Sequence, residues 1–171
     1  MTLPTTGALS MGDVLNELQQ PVGQRGATSM SAPVIRALAN KTSGVISFQD
    51  FRGKTGSFSG SVGGLVDSVS PAVHKVLWNT PGNPAIPPWF MGALSYIWDN
   101  NGNVQLFFDN TYPQPVWTGQ IYASNLTNGQ NVVLSQLSGY GWVGNTKVGY
   151  FVNAGSTSVP SYQNIVLRPY F

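Results

Sequence analysis

From residue 56 onward the apolar runs of this chain are all short, and each is cut off by Gly, Asn, Ser or Pro. The runs are "SFSGSV" (57–62), "AVHKVLWN" (72–79), "GALSYIWD" (92–99), "NVQLFFDN" (103–110), "PVWTGQIYAS" (115–124), "NVVLSQLS" (131–138), "KVGYFVNA" (147–154) and "NIVLRPYF" (164–171). They recur at a spacing of roughly 8–16 residues, with turn residues between them throughout. That rhythm predicts a mainly β fold, an antiparallel sandwich or barrel-like C-terminal domain. Asn100-Asn101-Gly102 lies between two of the runs and favours the positive φ of a tight hairpin. The run at 72–79 is ambiguous. Val73, Val76 and Leu77 also fit one face of a helix, which Ser70-Pro71 could open.

The surface of such a domain has to be made from an unusual set of residues. Only 8% of the chain is charged, against about 25% in ordinary globular proteins. The hydrophobic fraction is 42%, so this is not the composition of a disordered chain. It predicts a folded protein covered in Ser, Thr, Asn, Gln and Gly. A surface with so little charge offers little repulsion between copies, and it suits a homo-oligomer, trimer or higher. The charge is also unevenly placed. Residues 1–55 carry eight of the fourteen charged side chains, and residues 56–171 carry six. The Gly/Ser-rich stretch "GKTGSFSGSVGG" (53–64) lies at the change. We therefore divide the chain into residues 1–55 and 56–171, with 53–64 expected to form a flexible or weakly packed connection.

The N-terminal part repeats itself. "TTGALSMGDV" (5–14) and "TSGVISFQDF" (42–51) align 37 positions apart. Gly7 matches Gly44, Leu9 matches Ile46, Ser10 matches Ser47, and Asp13 matches Asp50. Each copy reads as a glycine turn, two apolar residues, a Ser-x-x-Asp cap and a short apolar helix face. The first helix should run through Val14, Leu15 and Leu18 and stop before Pro21. The second should abort at Gly53 after one turn. Between them, residues 31–40 predict a helix capped by Ser31 with Pro33 in its first turn. With so few large side chains, some 55 residues would make a marginal fold alone. The apolar residues Leu9, Met11, Val14, Leu15, Leu18, Ile46, Phe48 and Phe51 are thus the candidate assembly interface, buried by other chains. The alternatives are a small helical subdomain docked on the rest of the chain, and two copies that pack on each other as a pair.

These paired copies carry a family resemblance. Leu3-Pro4, Gly7 to Asp13, Asn16-Glu17-Leu18 and Gly44 to Lys54, with its "DFRGK" ending, resemble the N-terminal region of tailed-bacteriophage virion proteins. Regions of that kind attach tail fibre, collar and baseplate proteins to the particle. The resemblance covers residues 1–55 and not the β region. It implies a structural subunit of a virion that docks on other phage virion proteins, and it brings no catalytic residues. A receptor- or glycan-binding module at the tail tip and a capsid decoration protein are the alternatives. The chain has neither a secretory leader pattern nor an apolar stretch of membrane-spanning length. Synthesis in the bacterial host cytoplasm, followed by incorporation into the virion, is the expectation.

Enzyme chemistry finds little support in the residues. There is no cysteine and one histidine, His74, in an apolar stretch beside Lys75. No nucleophile elbow is present, since "GSFSG" (56–60) has Phe58 at its centre. A glycosidase needs two neighbouring carboxylates. The β region offers Asp67, Asp99 and Asp109, and the last two sit at run ends beside Asn, where Asp serves turns. Asp99-Asn100-Asn101-Gly102-Asn103 lacks the ligand alternation and distal Glu of a calcium loop. Gly53-Lys54-Thr55 lacks the earlier glycine of a phosphate loop. We expect no enzyme, no metal and no cofactor, and too few basic residues for nucleic acid. A host surface glycan is a candidate partner, because Trp89, Trp98, Trp117, Tyr122, Tyr140 and Trp142 accompany an amide-rich surface. Tyr140 and Trp142, alternating in "SGYGWVGN" (138–145), are the candidate glycan-binding residues. Pro81, Pro84 and Pro87 give "TPGNPAIPPWF" (80–90) a polyproline period, which suits a stiff loop or an extended edge against a neighbouring subunit.

Overall fold

The structure is a computed structural model, and it describes residues 2–18, 29–41, 43–54, 56–66, 70, 72–77, 94–108, 117–146, 149–159 and 161–170. The chain is mainly β. Its strands are β1 (Phe58–Val66), β2 (Val73–Leu77), β3 (Leu94–Asn100), β4 (Asn103–Phe108), β5 (Ile121–Asn125), β6 (Asn131–Ser138), β7 (Gly141–Asn145) and β8 (Ser161–Pro169). They close an antiparallel barrel in the order β1-β2-β3-β4-β7-β6-β5-β8, with β8 pairing back onto β1. Closure leaves the sheet no free edge.

Alternation along β4, β5 and β8 fills much of the barrel. Val104, Leu106 and Phe108 of β4 point in, as do Ile121 and Ala123 of β5 and Ile165 and Leu167 of β8. Two strands turn the corners. β1 pairs with β8 through residues 58–64 and with β2 through Leu65 and Val66. β6 pairs with β5 through residues 131–134 and with β7 through 135–138, with a register shift between Gln136 and Ser138. The β3–β4 hairpin has the positive φ expected of its turn, 47° at Asn101 and 85° at Gly102. Of the ambiguous run at 72–79, Val73–Leu77 form a strand.

Two connections break the simple up-and-down order. β4 leads past β7 and β6 to β5, and β7 leads past β6 and β5 to β8. The second crossing lies over one barrel end and buries Phe151 and Val152 in the core. Here the structure departs from the sequence reading. "KVGYFVNA" (147–154) is not a strand among its described residues, and Gly141–Asn145 in "SGYGWVGN" is. Both segments have the apolar content of a strand. Backbone pairing decides between them, because residues 141–145 lie against β4 and β6, whereas Asp99, Asn125 and Gln163 accept or donate at the backbone of 151–153.

The N-terminal copies form one helical unit. α1 (Met11–Glu17) starts at Ser10, whose hydroxyl accepts the Asp13 N–H at 3.3 Å, while the Ser10 N–H donates to Asp13 Oδ2 at 2.8 Å. The second copy repeats the box at the 3-10 turn Phe48–Phe51, where the Ser47 N–H donates to Asp50 Oδ2 at 2.7 Å. Between them α2 (Pro33–Ala39) begins at Ala32 and ends at Asn40 in the left-handed region. Ser31 is not its cap, because Pro33 takes the first helical position and the Ser31 side chain bonds Ser29. Leu3 and residues 53–54 exchange backbone hydrogen bonds of 3.0 and 3.1 Å, so the lead into the first copy is tied to the end of the second. The described residues of 53–64 are not the weakly packed connection the composition predicts. β1 begins at Phe58, and Gly56 and Ser57 are buried. Among the described residues no helix is long and apolar enough to cross a membrane.

Candidate functional site

The predicted assembly interface divides once the chain is folded. Val14, Leu15, Leu18 and Phe51 are buried within the chain itself, with α2 supplying Val34, Ile35 and Leu38 to the same cluster. They are therefore corrected from interface to core: the short helices face each other and leave these side chains no outward direction. Leu9, Met11 and Ile46 are half-buried at the cluster's edge. Phe48 is 41% exposed and its neighbour Val45 is 87% exposed. What the unit offers outward is the turn-and-cap segment of each copy. The two segments share a backbone shape, with φ of 86° at Gly7 and 80° at Gly44. An L side chain rarely adopts such angles, and the turn carbonyls they present each accept an arginine. Arg52 Nη2 donates to the Gly7 carbonyl at 2.6 Å, and Arg36 Nη2 donates to that of Gly44 at 2.8 Å. Lys41 and Asp50 add an ion pair at 2.8 Å.

The candidate glycan pair also changes. Trp142 is completely buried. Its ring meets Phe108 edge-on at 5.2 Å, and its Nε1 donates to the Gly119 carbonyl at 2.9 Å. No face of Trp142 remains for a sugar, so its assignment is corrected to core. Tyr140 is half-buried. Trp117 is likewise buried, with Nε1 bonded to the Gln120 carbonyl. Trp89 and the proline-rich segment 80–90 lie outside the described residues.

One group of outward aromatic side chains lies on β3 and β4, beside Lys75 of β2. Cross-strand register sets Lys75 opposite Trp98 and Trp98 opposite Gln105. Tyr96 lies two residues before Trp98, and its ring stacks on Phe107 at 4.7 Å. Lys75 Nζ stands 5.3 Å from the centre of the Tyr96 ring, within reach of a cation–π attraction. Lys75, Tyr96, Trp98 and Gln105 line an open cavity of about 240 Å³. Burial raises the Tyr96 hydroxyl above its ordinary pKa, so it stays a neutral donor at physiological pH. On another stretch of the wall Arg168 lies 4.6 Å over the Tyr122 ring, which stacks on Tyr170 at 5.9 Å.

His74 and Asp99 are brought together, as register partners across β2 and β3. Their bonds are structural. Asp99 is fully buried, and its two oxygens accept the N–H groups of Gly102 at 2.8 Å and Val152 at 2.9 Å. His74 Nδ1 lies 2.6 Å from the Val152 carbonyl, and its ring stacks on Tyr150. Burial pushes the Asp99 carboxyl up in pKa, against the pull of those N–H groups and of His74. Among the described residues no three His, Cys, Asp or Glu side chains gather as a metal site. A scan against protein-family models gave no match, and searches of curated proteins and of solved structures found none similar to this chain.

Proposed function

We propose that this protein is a structural subunit of a tailed-phage virion, tail-associated as a fibre, collar or baseplate component. It docks through residues 1–55 on other virion proteins, assembles as a trimer or higher oligomer, and performs no catalysis. The observation that carries this reading is the matching backbone of the glycine turn and capping serine in the two copies. Ser10 has φ −110° and ψ 164°, and Ser47 has φ −118° and ψ 165°. The same turn and capping box are thus built twice on one small unit, with Val45 and Phe48 left outward. Two like knuckles linked in one chain raise the effective concentration of the second contact once the first has formed.

The test is incorporation. The double change Val45→Asp and Phe48→Asp places two charges where solvent accepts them and a dry interface does not. The variant should be soluble, with the circular dichroism of the parent, and should fail to enter particles assembled with it as the sole source of this subunit. Normal incorporation of the folded variant would sink the docking role of this surface.

A further inference from the structure

We propose that the outer face of β2, β3 and β4 is a saccharide-binding site, selective for a sugar that carries a carboxylate. It does not depend on how the N-terminal unit docks. Four residues carry it: Lys75, Tyr96, Trp98 and Gln105.

Register is the first argument. Lys75, Trp98 and Gln105 form one row across three adjacent strands. Neighbouring strands stand about 4.8 Å apart, so a cation, an indole and an amide are presented across about 10 Å. That is the span of one or two sugar rings. A pyranose has an apolar face of C–H groups and a rim of hydroxyls. It needs a flat aromatic surface beneath it and donors and acceptors at its edge. Trp98 supplies the surface. The Gln105 amide supplies both a donor and an acceptor. Tyr96 is fixed beside them by its stacking on Phe107 at 4.7 Å.

Charge is the second argument. Lys75 is the charged member of the lining, and among the described residues it has no acidic partner. Its ammonium lies over Tyr96, with Nζ 5.3 Å from the ring centre. An ammonium at the rim of a groove without a carboxylate of its own favours an anionic group on the ligand. In a barrel region with three basic residues in 116 positions, the placement of one of them in the aromatic groove selects the ligand's charge. The cavity of about 240 Å³ is smaller and more open than sites that enclose a drug-sized ligand. It fits weak, side-on binding that many copies of an oligomer would strengthen.

The experiment is titration of the full-length protein, followed by tryptophan fluorescence and by proton–nitrogen NMR shifts. The probes are sialyllactose and a galacturonic acid trimer, with lactose and a neutral galactose trimer as controls. The acidic sugars should bind saturably and at least tenfold tighter than the neutral ones, with shifts centred on β3 and β4. Trp98→Ala should lower affinity at least tenfold, Lys75→Gln should abolish the preference for acidic sugars, and Lys75→Arg should keep it. Equal binding of neutral and acidic sugars would overturn the selectivity. Absence of saturable binding, or a folded Trp98→Ala variant that binds like the parent, would overturn the site. So would a Trp98→Ala variant whose one measurable change is a smaller oligomer in sedimentation, because the face would then join copies of this chain.

Discussion

Glu17 is a carboxylate that the fold buries beside the start of the barrel, where its Oε1 accepts the Gly56 N–H at 2.9 Å. Burial raises its pKa, with the bonds from Gly56 and Ser57 pulling the other way. Asp99 shifts in the same direction for the same reason. For such a group the folded state holds its proton to higher pH than the unfolded chain does. Its contribution to stability is full below the ordinary carboxylate value and is lost as pH rises through the raised one. Thermal unfolding should therefore show a negative slope of stability with pH just above the ordinary carboxylate range, and Glu17→Gln should reduce that slope. An unchanged pH profile in the variant would show that Glu17 does not titrate differently on folding. Asp50 behaves oppositely. Its Lys41 partner and the Ser47 bonds lower it to about 2, so its contribution is present above 3.8 and lost as pH falls toward 2. The capping boxes give a second prediction at this scale. Ser10→Ala and Ser47→Ala should each cost about 0.5–2 kcal/mol. Hydrogen exchange in the N-terminal unit is the readout, and unaltered protection at Asp13 and Asp50 would count against the caps.

Among the elements, the β7–β8 crossing does the least regular and most binding work. Phe151 and Val152 close the barrel end without belonging to a strand. Their backbone is held by side chains from the wall: Asp99 accepts the Val152 N–H, Asn125 Nδ2 donates to the Phe151 carbonyl at 2.7 Å, and Gln163 bonds both backbone groups of Asn153. Removing the plug's ring, Phe151→Ala, should destabilise the barrel by about 3–5 kcal/mol. Denaturant melts would measure it, and a loss under about 1 kcal/mol would mean the ring is not part of the barrel's core. Gly64 of β1 tests the same seat from the other side. A Cβ there would stand 2.7 Å from the Asn153 carbonyl oxygen. Because that obstacle is backbone, Gly64→Ala should displace the crossing and expose the Val152 amide to exchange. Retained protection would show that the crossing accommodates the methyl group.

At the scale of the molecule, closure of the barrel needs nothing from residues 1–55, since β8 meets β1 directly over Phe58–Gly64. A fragment of residues 56–171 should fold cooperatively, with a β spectrum and the near-ultraviolet signature of a packed Trp142. A molten fragment would show that the helical unit is part of the barrel's core. The sequence by itself determined the class of this fold, because period-two apolar runs between turn residues can bury one face only as strands of an antiparallel sheet. It also determined the repeated cap, whose residues bond within three positions of each other. It did not determine which face of a strand points inward. In β3 the alternation of Tyr96 and Trp98 with Ile97 and Asp99 is plain, yet the aromatics line the outer groove and the carboxylate is buried. The reason is non-local. Asp99 is needed inside by the N–H of Val152, 53 residues away, and Trp98 is turned outward between Lys75 and Gln105 by strand pairing. Trp142 goes the other way, drawn into the core by Phe108 and the Gly119 carbonyl. Choices of this kind depend on partners that are distant in the chain, and only the closed barrel brings them together.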